Sequence, residues 1–259
     1  MFVSNYIKIF LLIDWVMNKK ITIHKISQIK AKKPVVVLGF PGTGLVGSVA
    51  ATQLIDSLGL KFVGYISSPE FAPLAAIHDY TPMPAARIHY SEKHNLVVVL
   101  SEMSIPVKSS LELAETIFDF AKGLNASSIV SLGGISLKEG SGKVYVVSSN
   151  KKLPQKLISK KLVKPIREGA TTGVTGVLLS MGALRKFPVM TILAESSEDY
   201  LDPSAAVKVI KTLSTFLGVE IGTADLDKEA KELAEEMTDK MIKSKVPKKK
   251  GEPSGSMYG

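Results

Sequence analysis

The sequence predicts an α/β fold, a mainly parallel sheet flanked by helices on both faces. Three observations point to it. From Pro34 onward, short runs rich in β-branched residues alternate with helical segments, as βαβ units require. Glycine and proline fall where those segments should stop and start. At 259 residues, 45% hydrophobic and 22% charged, the chain can bury the core of one ordinary domain and still carry terminal segments.

Taken in order, Val35 to Phe40 reads as a buried strand, and Gly44 to Leu58 as a helix of small residues ended by Gly59. Lys61 to Ile66 and Leu96 to Ser101 read as strands, and the proline-rich stretch Pro69 to Pro84 as an excursion over the sheet. Pro106 opens a helix in which Leu111, Ala114, Phe118 and Ala121 share a face before Gly123 stops it. Ser128 to Leu132 is a strand leading into Gly133-Gly134. Lys143 to Ser148 is another, followed by a helix around Lys151 to Lys160. Thr175 to Leu184 reads as a helix and Val189 to Ala194 as a strand. Asp202-Pro203 caps a helix through Leu217 with Gly218 at its exit.

The expected organisation is an N-terminal extension and lead-in over 1–33, an α/β domain over 34–222, an amphipathic helix over 223–243 and a flexible tail over 244–259. In the helix, Leu226, Ala230, Leu233, Met237 and Met241 form a narrow stripe close to a heptad seam. It suits a helix lying on its own domain, or one that packs on neighbouring subunits. The tail is rich in Lys, Pro, Gly and Ser and ends in Met257-Tyr258-Gly259, a compact plug with a free carboxylate. At the other end, the apolar run Ile7 to Met17 is broken by Asp14 and is too short to span a bilayer. Met17, with Asn18 and two lysines behind it, is the expected natural start.

The formal charge of +9 draws much of its excess from Lys19, Lys20, Lys30, Lys32 and Lys33 and from Lys243, Lys245, Lys248, Lys249 and Lys250. These clusters lie at segment ends without aromatic or zinc-finger motifs, so nucleic acid and membrane are not expected partners. The absence of cysteine excludes disulfides, thiolate metal sites and cysteine nucleophiles, and fits a cytoplasmic protein. His24, His78, His89 and His94 show no metal-ligand spacing, and His78, in the loop excursion, is expected to be solvated. No metal site or cofactor is expected.

Gly42-Thr43-Gly44-Leu45-Val46-Gly47 satisfies G-x-G-x-x-G between a strand and a helix. The ribose-binding acid of a dinucleotide site is missing, because the second strand ends at Ser67-Ser68-Pro69 with Glu70 beyond the proline. No Gly-Lys-Ser/Thr follows to make a Walker A loop, and no G-x-S-x-G supplies a nucleophile elbow. The favoured reading is structural: Gly42, Gly44 and Gly47 permit a tight turn and close helix-to-sheet packing. The alternative is a small-molecule enzyme, phosphorylase-like or hydrolase-like. Glu102 and Glu195 each follow a strand and would stand at the carboxyl edge beside the glycine loop for acid-base work.

The run Val37 to Gly47, Leu132-Gly133-Gly134, Thr172-Gly173-Val174-Thr175-Gly176 and Tyr200-Leu201-Asp202-Pro203, in this order and spacing, resembles the proteasome assembly chaperone family over about Pro34 to Gly218. The resemblance implies a phosphorylase-like three-layer α/β fold without catalytic residues. Within the family the chain looks most like archaeal homologues that end in a hydrophobic-Tyr-X motif and bind the proteasome core particle. Carried over, Met257 is the hydrophobic position, Tyr258 the tyrosine and Gly259 the carboxylate that pairs with a lysine in a pocket between α-ring subunits. The implied function is ATP-independent assembly or activation of the proteasome by a homo-oligomer. A second family homologue is a further partner compatible with it.

Overall fold

The computed structural model describes residues 20–137, 142–197 and 200–233. Its strands are β1 (Thr22–Lys25), β2 (Val35–Gly39), β3 (Lys61–Ser67), β4 (Ala75–His78), β5 (Thr81–Pro84), β6 (Ala86–Ser91), β7 (Leu96–Ser101), β8 (Ser128–Ile135), β9 (Val144–Ser148), β10 (Lys164–Pro165) and β11 (Val189–Glu195). The helices are α1 (Val46–Leu58), α2 (Ser110–Gly123), α3 (Gln155–Ser159), α4 (Gly173–Leu184) and α5 (Pro203–Leu217), and residues 224–233 are also helical.

Nine strands form one sheet in the order β1-β3-β6-β7-β2-β8-β11-β9-β10. Its centre, β7-β2-β8-β11, is parallel. On one flank β6, β3 and β1 join antiparallel; on the other β9 runs antiparallel to β11 and carries β10 parallel to itself. The central strands are predominantly apolar because helices cover both their faces. Val37, Val98, Val130 and Ile192 face α1 and α5, meeting Leu54, Ile210 and Leu213 in one core cluster. Val36, Leu38, Val99 and Ile129 point the opposite way, with α2 and α4, and pack with Leu113, Phe118 and Leu178 in a second cluster.

Several elements differ from expectation. β6 reads poorly as a strand because Arg87 and His89 interrupt it, yet all six of its residues are buried. The Pro69 to Pro84 excursion contains the β4–β5 hairpin, a separate two-stranded sheet. At its tip Asp79 and Tyr80 both take positive φ, 44° and 62°, the requirement of a two-residue type I′ turn. In α2 the expected face is wrong at one position. Leu111 is 58% exposed, in the first turn beyond the carboxyl end of β7, while Leu113, Ala114, Ile117, Phe118 and Ala121 make the buried face. β8 does not stop at Leu132 but continues through both glycines to Ile135. The sheet also takes in Thr22–Lys25, ahead of Pro34.

The cap of α5 matches expectation in detail. Asp202 Oδ1 accepts from the Ala205 N–H at 2.9 Å, Pro203 occupies the first position and Gly218 closes the helix at φ 71°. The chain then returns to its own domain: Gly222 N donates to Ser57 Oγ at 2.7 Å, and Gln53 Nε2 donates to Gly222 O at 2.9 Å. Leu226 follows into the core, 6% exposed, and Lys211 pairs with Asp227 at 3.6 Å. The first part of the amphipathic stripe therefore lies on its own domain; Met237 and Met241 fall outside the described residues.

His89 sets a pH limit on this fold. Burial, the largest influence, lowers its pKa from 6.5 to about 4. Below pH 6.5 the unfolded chain takes up a proton there that the folded chain refuses, so stability falls as pH drops from about 6.5 towards 4. By linkage the loss approaches about 3 kcal/mol at the acid end. Denaturant titrations of wild type and His89→Phe across that window should show the loss in wild type and a flatter profile in the variant.

Candidate functional site

The carboxyl ends of β2, β7, β8 and β11 bring the glycine loop, Glu102 and Glu195 to one edge of the sheet. They do not form one centre there. β2 ends at Gly39, a 3-10 turn occupies Thr43–Leu45, and α1 starts at Val46. A side chain on Gly47 would stand 2.5 Å from Leu132 O and 2.6 Å from Phe40 O, so its absence lets α1 lie on the backbones of β8 and of the β2 exit. Gly44 is left-handed at φ 61°, and a side chain there would run into Ser196 Oγ. Its carbonyl accepts from Asp202 N at 3.0 Å, while Leu45 N donates to Gly42 O at 2.9 Å. Protein groups thus occupy the loop around Gly44 and Gly47. Gly42 differs: nothing lies within 4 Å of where its side chain would be, so packing does not require glycine there.

Glu70, the distant substitute for a ribose-binding acid, is engaged elsewhere, paired with Lys108 and, at 3.6 Å, with Lys20.

Glu102 follows β7 and is held at both oxygens. Arg87 Nη1 lies 2.8 Å from Oε2 and His78 Nε2 lies 2.9 Å from Oε1. Burial pushes the Glu102 carboxyl up, but the hydrogen bonds and charges of Arg87 and then His78 outweigh it, and the net pKa lies below the ordinary value. Arg87 is 4% exposed in its side chain, and its Nη1 also donates to Pro84 O at 3.2 Å. His78 is therefore not the solvated loop histidine expected; it ties the β4–β5 hairpin to the sheet edge. Sequence reasoning missed both partners of Glu102. The available signal was Arg87 itself, since a guanidinium inside an otherwise apolar strand needs a counterion.

Glu195 ends β11 at 8% exposure. Its Oε2 accepts from Lys143 N at 3.0 Å and its Oε1 from Tyr145 OH at 3.2 Å, which fastens β9 to β11. Two strands, β2 and β8, separate β7 from β11, placing the carboxylates roughly 14 Å apart by strand spacing. Glu102 and Glu195 are two local clamps rather than an acid-base pair.

Among the described residues there is no cluster of His, Cys, Asp or Glu able to hold a metal ion, and no helix is long and apolar enough to cross a membrane. Met257, Tyr258 and Gly259 lie outside the described residues.

Residues 36–241 match the PAC2 family. An uncharacterized protein of Methanocaldococcus jannaschii is 32% identical over 226 residues, 85% of this chain and 93% of that one. The crystal structure of Pyrococcus furiosus PbaB, an archaeal proteasome activator, superposes with a TM-score of 0.75 at 29% identity, covering 86% of this chain and 99% of PbaB. That of Pyrococcus furiosus PbaA, an archaeal homolog of proteasome-assembly chaperone, gives a TM-score of 0.75 at 26% identity, covering 86% and 94%.

Proposed function

The chain belongs to the PAC2 family, and from that membership we propose that it is an ATP-independent assembly chaperone or activator of the archaeal proteasome. The observation that carries this reading is the likeness to PbaB over 86% of this chain and 99% of PbaB. In this reading the partner is the α-ring of the core particle, and the contact is made by the C-terminal tail. Met257 and the Tyr258 ring fill a pocket between adjacent α subunits, the tyrosine hydroxyl finds a hydrogen bond, and the Gly259 carboxylate pairs with a pocket lysine. The lysines at 243, 245 and 248–250 would favour approach to an acidic ring surface.

A homo-oligomer is part of the proposal, because several tails on one body turn a weak plug into useful avidity. The β4–β5 hairpin supports it by exposing apolar side chains: Ile77 is 66% and Tyr80 96% exposed. The reading assigns no catalytic residue. The separate engagement of Glu102 and Glu195 argues against the acid-base alternative, and no Walker A lysine follows the glycine loop.

Co-sedimentation with archaeal core particles tests the docking step. The intact chain should travel with the particle, and Tyr258→Ala should remain in the supernatant. Full co-sedimentation of the variant would sink the tail as the docking element, and failure of both chains to bind would remove the proteasome as partner.

A further inference from the structure

Beside the glycine loop, under the first turn of α4, the sheet edge opens into a cleft of about 350 Å³. Its floor is Ser131 and Gly133 of β8 with Thr191 and Leu193 of β11, and Thr175 of α4 with Thr172, the residue before that helix, forms its roof. Gly133 contributes no side chain, which leaves the space open. Ser131 and Thr191 are register partners across the parallel β8–β11 pair, so they present their side chains on the same face. Ser131 Oγ reaches Thr175 Oγ1 at 2.7 Å, which brings the first turn of α4 directly over this pair.

Two independent features point to a ligand. The helix α4 has 12 residues and no side chain caps its N-terminus, so the positive end of its dipole is left uncapped where Thr172 and Thr175 line the cleft. Thr191 is fully buried, 0% exposed, and its Oγ1 has no hydrogen-bond partner within the protein. A buried hydroxyl left unpaired costs stability unless something else supplies the partner, and a valine would fill the same volume without that cost. Both features offer donors, and donors converging on a helix N-terminus suit an oxyanion.

The cleft adjoins a second chamber of about 460 Å³, with which it shares the lining residues Ile135, Ala170, Thr171 and Leu193. Leu137, Val147 and Ile166 give that chamber apolar surface, and Arg167 and Glu168 also line it. We infer that this edge binds a small anionic organic molecule, with its phosphoryl or carboxylate group at Thr172, Thr175 and Thr191 and its compact apolar body in the adjoining chamber. The site uses neither Glu102 nor Glu195 and does not depend on the C-terminal tail.

Isothermal titration of the full chain at low ionic strength, with phenyl phosphate, benzoate and inorganic phosphate as probes, tests the inference. Phenyl phosphate should bind saturably at one site and more tightly than inorganic phosphate, which lacks a body for the second chamber. Thr191→Val, isosteric and without a native hydrogen bond to lose, should weaken binding about tenfold, the worth of one hydrogen bond to a charged group. Thr172→Asp should cap α4 and repel an anion, abolishing binding while the melting temperature holds or rises. Benzoate binding with the same sensitivity to both variants, without phenyl phosphate binding, would identify the carboxylate form. No saturable binding of any probe, or wild-type affinity in both variants, would overturn the site; if Thr191→Val does not fold, Thr172→Asp decides. Deleting residues 257–259 should leave all three titrations unchanged, so failure here is separable from failure of proteasome docking.

Discussion

Stimulation of peptide hydrolysis by an archaeal proteasome core particle is expected to vanish when residues 257–259 are deleted, although the truncated chain keeps its fold and oligomeric state. Among the described residues, the last member of the core cluster in sequence is Leu226, more than thirty residues before Met257, so the deletion removes none of the packing described for the domain. It does remove the aromatic plug and shifts the terminal carboxylate. One such plug binds weakly, and linkage of several raises apparent affinity by roughly 10²- to 10⁴-fold. In the proposed homo-oligomer, losing the plug from every subunit should therefore collapse binding altogether rather than scale it down. Gate opening adds a second requirement, because the tail must bind the open ring better than the closed one to shift the population. Tyr258→Phe separates the two contributions: it keeps the ring and loses the hydroxyl. If it binds but does not stimulate, the hydroxyl supplies the preference for the open state. Undiminished stimulation by the truncated chain would exclude the tail from activation. Binding by the intact chain without stimulation would make it an assembly factor.

The central strands and the helices between them were legible because both faces of the sheet are covered, so the strands are mostly apolar runs, and glycine or proline marks many of the helix boundaries. Asp202, Pro203 and Gly218 could be assigned cap positions one by one for that reason. β6 was not legible, because its pattern is broken by His89 and by Arg87, whose partners Glu102 and His78 lie outside the strand. Arg87 meets Glu102 and His78 only after the hairpin excursion has folded back, and no local spacing encodes that meeting. The same limit applies to the two carboxylates. Both lie at the carboxyl ends of their strands, but sheet order, which inserts β2 and β8 between β7 and β11, decides that they stay apart. The cleft under α4 escaped notice because serine and threonine in β8 and β11 look like ordinary strand residues until register places Ser131 beside Thr191.

Gly47→Val is expected to destabilise the fold by more than about 4 kcal/mol, enough to leave little soluble folded protein at 37 °C. The reason lies in what the missing side chain would meet. Overpacking a core is commonly relieved by a rotamer change in a neighbour, but here the neighbours are the backbone carbonyls of Leu132 and Phe40, at 2.5 and 2.6 Å. Neither can rotate away. Leu132 lies within β8, paired on both sides, and Phe40 O continues directly from β2. The helix would have to lift from the sheet, opening the contacts of Ala50, Ala51 and Leu54 with the core cluster they share with α5. Gly42→Val is the matched control: its φ of −168° is extended, a conformation valine adopts readily, and its surroundings are open. That variant should keep wild-type stability within about 0.5 kcal/mol. Equal losses at the two positions in denaturant titrations would mean that the loop conformation, and not the approach of α1 to the sheet, is what the glycines protect. A large loss at Gly47 alone makes the second half of the G-x-G-x-x-G pattern a packing device and leaves Gly42 as the position whose small size faces the open cleft.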